Sequence, residues 1–269
     1  MKLSEIRRIS KLKLKDNGIE IKDADFIIAQ ILGVSTTTLF QDRDIEEKTV
    51  KKINNCINKR LKHIPVEKIF NKAYFYGIEF YVDNNVLTPR SETELLVDKS
   101  LEIIKQKKGQ IKVLDLCTGS GAIACAVKKN SEAIVDAVDI SSKAIKIAKK
   151  NAKNLNLGIN IFKSDMFSSV NEIYDLIISN PPYIETEVCK TLESEVKDND
   201  PMLALDGGDD GFNYYKEIAK NMSFLNNDGV LLLEIGYNQA KSVKQIFKNF
   251  HVEILKDYNN LDRVVVVKK

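Results

Sequence analysis

Two histidines, His63 and His251, are all that this 269-residue chain carries. Mechanisms that need an imidazole base, Ser/His/Asp and Cys/His hydrolysis among them, have only those two positions to draw on. The four cysteines, Cys56, Cys117, Cys125 and Cys189, are scattered without a CxxC pair. Neither a metal site nor a disulfide framework is encoded, and buried thiols are expected. No run of about 18 apolar residues exists to span a bilayer, and the opening MKLSEIRRIS lacks the apolar core and small-residue cleavage site of a secretory signal. The expected compartment is the cytoplasm, with no membrane partner. Repeats and low-complexity segments are missing too. So is the dense basic stripe with interleaved aromatics of a dedicated nucleic-acid binder, and direct DNA binding is not expected.

What is present suits a globular protein with one large and one small domain, 43% of it hydrophobic. The formal charge of +3 is unevenly spread. Residues 1–72 hold 16 basic and 10 acidic side chains, net +6, and the remainder 25 and 28, net −3. That asymmetry permits contact with an anionic partner, although a solvated helical surface explains it as well. Up to about residue 65 the pattern is helical: ADFIIAQILG ends in Gly33, a C′ candidate, and Val50, Ile53, Ile57 and Leu61 fall on one helical face. We expect a small helical bundle over residues 1–70 and a β-hairpin connector over 71–90, where AYFYGIEFYV turns at Gly77. Residues 91–269 then form the main domain. Ser91 is its first N-cap candidate, with Glu94 as capping-box partner. Seven strand candidates follow (111–116, 133–139, 159–164, 174–179, 229–236, 251–257 and 263–269), most separated by amphipathic helical stretches. The pattern is α/β, a doubly wound and mainly parallel sheet. Only YNNLD joins the last two strands, so that pair is expected to be antiparallel.

Two motifs carry chemistry. In VLDLCTGSGAIACAV (113–127) an apolar strand ends at Asp115, Gly119 and Gly121 make a flexible turn, and small residues follow where a helix packs closely. Asp139 ends the next strand about 20 residues on, the place for a carboxylate that accepts from ribose hydroxyls. This much suits NAD or S-adenosylmethionine equally. The second motif, LIISNPPYIE (176–185), drives a buried strand into Asn180, Pro181, Pro182 and Tyr183. An amino-group methyltransferase needs such a corner. A planar nitrogen delocalises its lone pair, and it attacks a methyl sulfonium only when its N–H groups are held so that the lone pair faces the methyl. The Asn180 side-chain oxygen and the Pro181 carbonyl can accept those hydrogens. The two prolines fix φ and withhold donors, and the Tyr183 ring offers a face to a flat group.

With these motifs in hand, the sequence resembles class I S-adenosylmethionine-dependent methyltransferases. It is similar most closely to the protein glutamine methyltransferases of the PrmC/HemK type, which modify the glutamine of the Gly-Gly-Gln motif in class 1 peptide chain release factors. The resemblance rests on NNVLTPRSETELLV, DLCTGSGAI, VDIS, NAKNLNL, SDMF, YDLIISNPPYIE, LESEVKDNDPMLALDGGDDGFNYYKEI, LLLEIGYNQ and KDYNNLDRVVVV, and it covers most of the chain. It implies a Rossmann-like seven-stranded domain behind an N-terminal helical domain for substrate recognition; a monomer is expected. It also implies that Cys117, Thr118, Gly119, Ser120 and Gly121 line S-adenosylmethionine and Asp139 holds its ribose. Asp165 and Met166 would flank the adenine, Asn180 would lie near the cofactor, and Asn180 to Tyr183 would bind the glutamine. The product would be S-adenosylhomocysteine, with no metal.

Departures from the family pattern are Cys117 at a position where glycine is usual, Ser91 for a common proline, and Asp200 for a glutamate. Met166 stands where aromatics are frequent, and EKIFNKAYF lacks the usual tyrosine and glycine. Ser91 also occurs in sister enzymes that methylate ribosomal protein L3, but ETELL after it favours release factors. The other readings are a DNA adenine or ribosomal RNA guanine methyltransferase, a binding protein on an inactive fold, and an NAD oxidoreductase. Against the first stands the missing recognition segment; against the second, the intact motifs. Capping explains Glu92 and Glu94 as well as catalysis does. Arg90 is a candidate for the cofactor's carboxylate; Asp206 to Asp210 suit a loop near the substrate mouth or, equally, a plain turn; and Glu234 has no role the sequence sets.

Overall fold

In the computed structural model, which describes residues 1–269, the chain divides into two compact units, Met1–Asn71 and Lys72–Lys269. The first contains helices α1 (Leu3–Asp16), α2 (Lys22–Leu32), α3 (Glu47–Arg60) and the single turn α4 (Val66–Phe70). Leu3, Ile6 and Leu14 of α1, Ala24, Ile27 and Ile28 of α2, and Ile53 and Ile57 of α3 form one buried cluster, with Val50 and Leu61 at its edge. That is the face the spacing predicts. Helix α2 stops at Gly33, whose φ of +65° is the left-handed C′ conformation.

The second unit opens with strands β1 (Lys72–Phe75) and β2 (Ile78–Tyr81), an antiparallel hairpin. Tyr76 and Gly77 between them both have positive φ, +51° and +68°, as a two-residue hairpin turn requires. Helix α5 (Glu94–Gln106), strand β3 (Lys112–Leu116), α6 (Ala122–Lys129), β4 (Ile134–Asp139), α7 (Ser142–Asn154), β5 (Asn160–Lys163) and β6 (Tyr174–Ser179) follow. After them come the short turns α8 (Thr186–Cys189) and α9 (Ser194–Lys197), then α10 (Asn213–Lys220), β7 (Leu225–Glu234), α11 (Ala240–Ile246), β8 (His251–Lys256) and β9 (Asp262–Lys268).

The seven-stranded sheet runs β5-β4-β3-β6-β7-β9-β8. Strands β3 to β7 are parallel, and β9 slips between β7 and β8, antiparallel to both. The apolar strand runs do not alternate with polar residues because both faces are covered. Val113, Leu176, Ile178, Leu232 and Val266 face α5, α6 and α7. Leu114, Ile177, Leu231, Leu233 and Val267 join Tyr215 of α10, Val243 of α11 and Phe247 on the other side.

One local expectation is overturned. The capping box at Ser91 and Glu94 does not form: α5 begins only at Glu94, after a 3-10 turn at Ser91–Thr93, and Ser91 Oγ donates to Glu92 Oε2. Glu94 Oε1 instead accepts the Tyr76 N–H of the hairpin turn at 2.7 Å. A backbone donor delivered by the hairpin outcompetes the local cap.

Candidate active site

Strand β3 has β4 on one side and β6 on the other, so the chain reverses its winding direction there and a crevice opens at the strands' carboxyl ends. The turn leaving β3 is bent by Cys117, Gly119 and Gly121, with φ of +59°, +54° and +79°. For Cys117 this left-handed backbone costs on the order of 1–3 kcal/mol that a glycine would not incur. Beneath the turn lies the buried Asp115. Its Oδ2 accepts from Thr118 Oγ1 at 2.6 Å and from the Ala124 N–H at 3.1 Å, tying the turn to the start of α6. Its Oδ1 is buried with no partner, and burial raises its pKa to about 7. A Cβ at Gly121 would come within 3.1 Å of the Ala148 side chain on α7, so glycine there permits close packing. Asn151 of α7 holds the turn from behind: its Nδ2 donates to Ser120 O at 2.8 Å and to Tyr81 O at 3.0 Å.

In front of the turn is a cavity of about 710 Å³ of empty space, its open mouth included. Its wall takes in Cys117, Gly119, Asp139, Asp165, Met166, Asn180 and Pro182 of the expected residues. Thr118, Ser120 and Gly121 of the same turn do not line that wall. Asp139 Oδ2 accepts the Gly119 N–H at 2.9 Å and Oδ1 the Ser141 N–H at 2.8 Å. Burial still pushes its pKa up, against the lowering effect of those two bonds.

The donor set fits an adenosyl group. Asp139 keeps further lone pairs for a ribose diol, Val138, Ile140 and Ala144 offer apolar walls for a flat ring, and Asp165 adds a polar acceptor. A Cβ on Gly119 would meet no chain atom closer than 4.0 Å; a side chain there would stand in the cavity. Tyr214, Leu87 and Ser141 also line it. Sequence reasoning missed these three, and no local pattern marks them.

At the neighbouring strand end, Ser179 of β6 pairs with Leu233 of β7, so Asn180 and Glu234 leave the sheet at the same level. Asn180 Nδ2 donates to Thr93 Oγ1 at 3.2 Å, and Thr93 Oγ1 donates to Glu234 Oε2 at 2.6 Å. Tyr183 OH donates to Glu234 Oε1 at 3.4 Å. Glu234 is 3% exposed. Burial raises its pKa to about 7, opposed by the Thr93 hydrogen bond and the charge of Arg263. Burial, reinforced by Glu234, holds the Tyr183 phenol well above its usual range and therefore protonated. Gln239 Nε2 donates to Tyr183 O at 2.8 Å.

A second cavity, about 500 Å³ of empty space, is lined by Asn180, Pro181, Tyr183, Arg90 and Glu234. Asn180, with Leu87 and Ala204, stands in the walls of both cavities. Arg90 is engaged with Asp200, Nη2 to Oδ2 3.0 Å, and Asp200 also accepts the Thr88 N–H. The loop of Asp206 to Gly211 packs beneath the corner: Gly207 N–H donates to Ile184 O, and Ile184 N–H to Leu205 O.

A doubly wound sheet with an acid-anchored glycine turn beside an Asn-Pro-Pro-Tyr corner defines an S-adenosylmethionine-dependent methyltransferase of the class I fold. Residues 92–207 match the model of the methyltransferase small domain, and residues 5–70 that of the PrmC N-terminal domain. The chain is 39% identical to a release factor glutamine methyltransferase of Thermodesulfovibrio yellowstonii, over 94% of each chain. It is 36% identical to one of Streptococcus pneumoniae, over 99% of this chain and 98% of that one. Among solved structures, a methyltransferase from Pyrococcus furiosus shares the fold, with a TM-score of 0.56 and 17% identity over 79% of this chain and 98% of that one. The chain belongs to the release factor glutamine methyltransferase family.

Proposed function

We propose that this enzyme transfers a methyl group from S-adenosylmethionine to the side-chain amide nitrogen of the glutamine in the Gly-Gly-Gln motif of class 1 peptide chain release factors. The observation that carries the proposal is the place of Asn180 in the wall shared by the two cavities. One cavity has the donor set for an adenosyl group, and the other is bordered by the Tyr183 ring and Pro181, which suit a planar amide. Sequence kinship over nearly the whole chain supports the choice of a protein glutamine over a nucleobase.

S-adenosylmethionine supplies an electrophilic methyl on a sulfonium. The chain's part is to present the nucleophile. Asn180 Oδ1 and the Pro181 carbonyl, neither of which accepts a hydrogen bond within the chain, take the two N–H groups of the glutamine amide. Pro181 and Pro182 hold those acceptors in place, and the Tyr183 ring supports the amide plane. With both N–H groups held in one plane, the nitrogen lone pair is directed at the first cavity. No base is needed beforehand, because the nitrogen becomes acidic once methylated and then loses a proton. Such positioning contributes up to about 7–11 kcal/mol in favourable cases. Asp139, Gly119, Asp165 and Met166 would hold the donor. In this proposal the N-terminal helical unit recognises the protein substrate.

The test offers release factors, ribosomes and DNA in parallel to the enzyme with tritiated S-adenosylmethionine, followed by mass mapping of the product. Label on the release factor glutamine is expected. Label on ribosomal protein L3 or on DNA alone would overturn the assignment.

A further inference from the structure

Glu234 is a buried carboxylate that the transfer of a methyl group does not itself use. It makes no ion pair within 4.0 Å, and its two oxygens meet only hydroxyl groups, those of Thr93 and Tyr183. A buried carboxylate whose direct partners are only hydroxyls is costly. Its placement is specific, however. One oxygen reaches Tyr183 directly and the other reaches Asn180 through Thr93, so a single carboxylate holds both ends of the Asn-Pro-Pro-Tyr corner.

The polarity of that connection matters more than its strength. The Asn side-chain amide is nearly two-fold in shape, and its terminal torsion is soft, so it can present either oxygen or nitrogen with little steric difference. When ionised, the Glu234 carboxylate can only accept, so the Thr93 proton points at it. Thr93 Oγ1 then has only lone pairs to offer Asn180, and only Nδ2 can meet them. Oδ1 is left facing the cavity. The reversed amide would confront the N–H groups of a substrate with N–H groups of its own.

We infer that Thr93 and Glu234 are positioning residues that fix which face of the Asn180 amide meets the substrate, so that Oδ1 is the acceptor. The inference rests on the glutamine methylation proposed above and adds two residues that act through the Asn180 side chain. Thr93 is 87 residues from Asn180 and 141 from Glu234 in sequence; only the fold brings the three together.

The experiment uses the full chain and compares wild type with Thr93→Val, Thr93→Ser, Glu234→Met and the double variant Thr93→Val/Glu234→Met. Steady-state methylation of a release factor is read alongside S-adenosylmethionine binding by calorimetry and thermal melting. Thr93→Val keeps the shape and removes the acceptor; kcat is expected to fall about 10- to 100-fold, as misplacement of a reacting group does, with cofactor Kd unchanged within about twofold. Thr93→Ser restores the hydroxyl and is expected to restore kcat. Glu234→Met frees the Thr93 proton to turn toward Asn180, with the same loss, and it carries the test should Thr93→Val not fold. Because both substitutions break one connection, the double variant is expected to be no worse than either single one.

A Thr93→Val enzyme with wild-type kcat, a Thr93→Ser enzyme as slow as Thr93→Val, or losses that multiply in the double variant would each overturn the inference. If the wild-type enzyme itself labels no release factor, the functional assignment falls and takes this one with it. If wild type and Thr93→Val label it equally, only the positioning role falls.

Discussion

Asp115 and Asn180 stand at the ends of adjacent strands and carry opposite liabilities. Asp115 has one oxygen bonded twice and the other buried bare. With its pKa raised by burial from 3.8 to about 7, the folded chain holds this proton more tightly than the unfolded chain does. The stability linked to it is fully present below the unfolded value and is lost as pH rises through the folded one. Asp115→Asn removes the titration. Between pH 5 and pH 8 the wild type is expected to lose about 2–3 kcal/mol relative to Asp115→Asn, a melting difference of about 4–12 °C in calorimetry. A difference that stays flat with pH would contradict the buried, proton-holding state. Asn180 is the opposite case, a residue with an unused acceptor. Asn180→Ala is expected to lower kcat by about 10² or more, the scale seen when one preorganised hydrogen-bonding group is removed. Wild-type turnover in that variant would exclude Asn180 from the chemistry.

Among the elements, the Asp206 to Gly211 loop and the Asn-Pro-Pro-Tyr corner approach each other backbone to backbone. A Cβ on Gly207 would lie 2.8 Å from Tyr183 Cα and 2.9 Å from Pro182 O. Main-chain atoms cannot swing aside as a flexible side chain can, so Gly207→Ala must displace the corner, at a cost of about 1–3 kcal/mol. Its expected signature is a loss of kcat of about tenfold or more with cofactor Kd changed only a few-fold, read by methylation kinetics and calorimetry. Equal losses in both would place the damage in the cofactor cavity instead. This explains the run DGGDDG, which by sequence is an ordinary turn near the substrate mouth: the glycines at 207 and 211 are there because Tyr183 passes within van der Waals distance. The short link between β8 and β9 has a similar local cause. Asp257 Oδ1 accepts the N–H groups of Asn259 and Leu261, and Oδ2 accepts from Arg263.

For the whole molecule, the two units have separate cores: the apolar cluster of α1, α2 and α3 contains no residue beyond Phe70, and the two clusters flanking the sheet contain none before Phe75. Both candidate cavities lie within the second unit. A chain lacking residues 1–71 is therefore expected to fold and to bind S-adenosylmethionine within a few-fold of the full protein. If the helical unit recognises the substrate, kcat/KM for an intact release factor should fall by about tenfold or more, at least about 1.4 kcal/mol of recognition. An undiminished kcat/KM would remove that role.

The elements and the chemistry of the corner are legible along the chain. Apolar strand runs, helical spacing, the left-handed glycines and the Asn-Pro-Pro-Tyr segment are each written in consecutive residues, because backbone preference and side-chain period act over a few positions. The antiparallel end of the sheet was legible from a five-residue link for the same reason. The insertion of β9 between β7 and β8 was not, since any strand edge can accept another. Nor was the fate of Glu94, whose partner is a hairpin N–H 18 residues away, or that of Glu234, whose role depends on a hydroxyl 141 residues away. Which acceptors in the corner are spent and which face the cavity follows from the fold, because hydrogen-bond polarity is settled by neighbours in space.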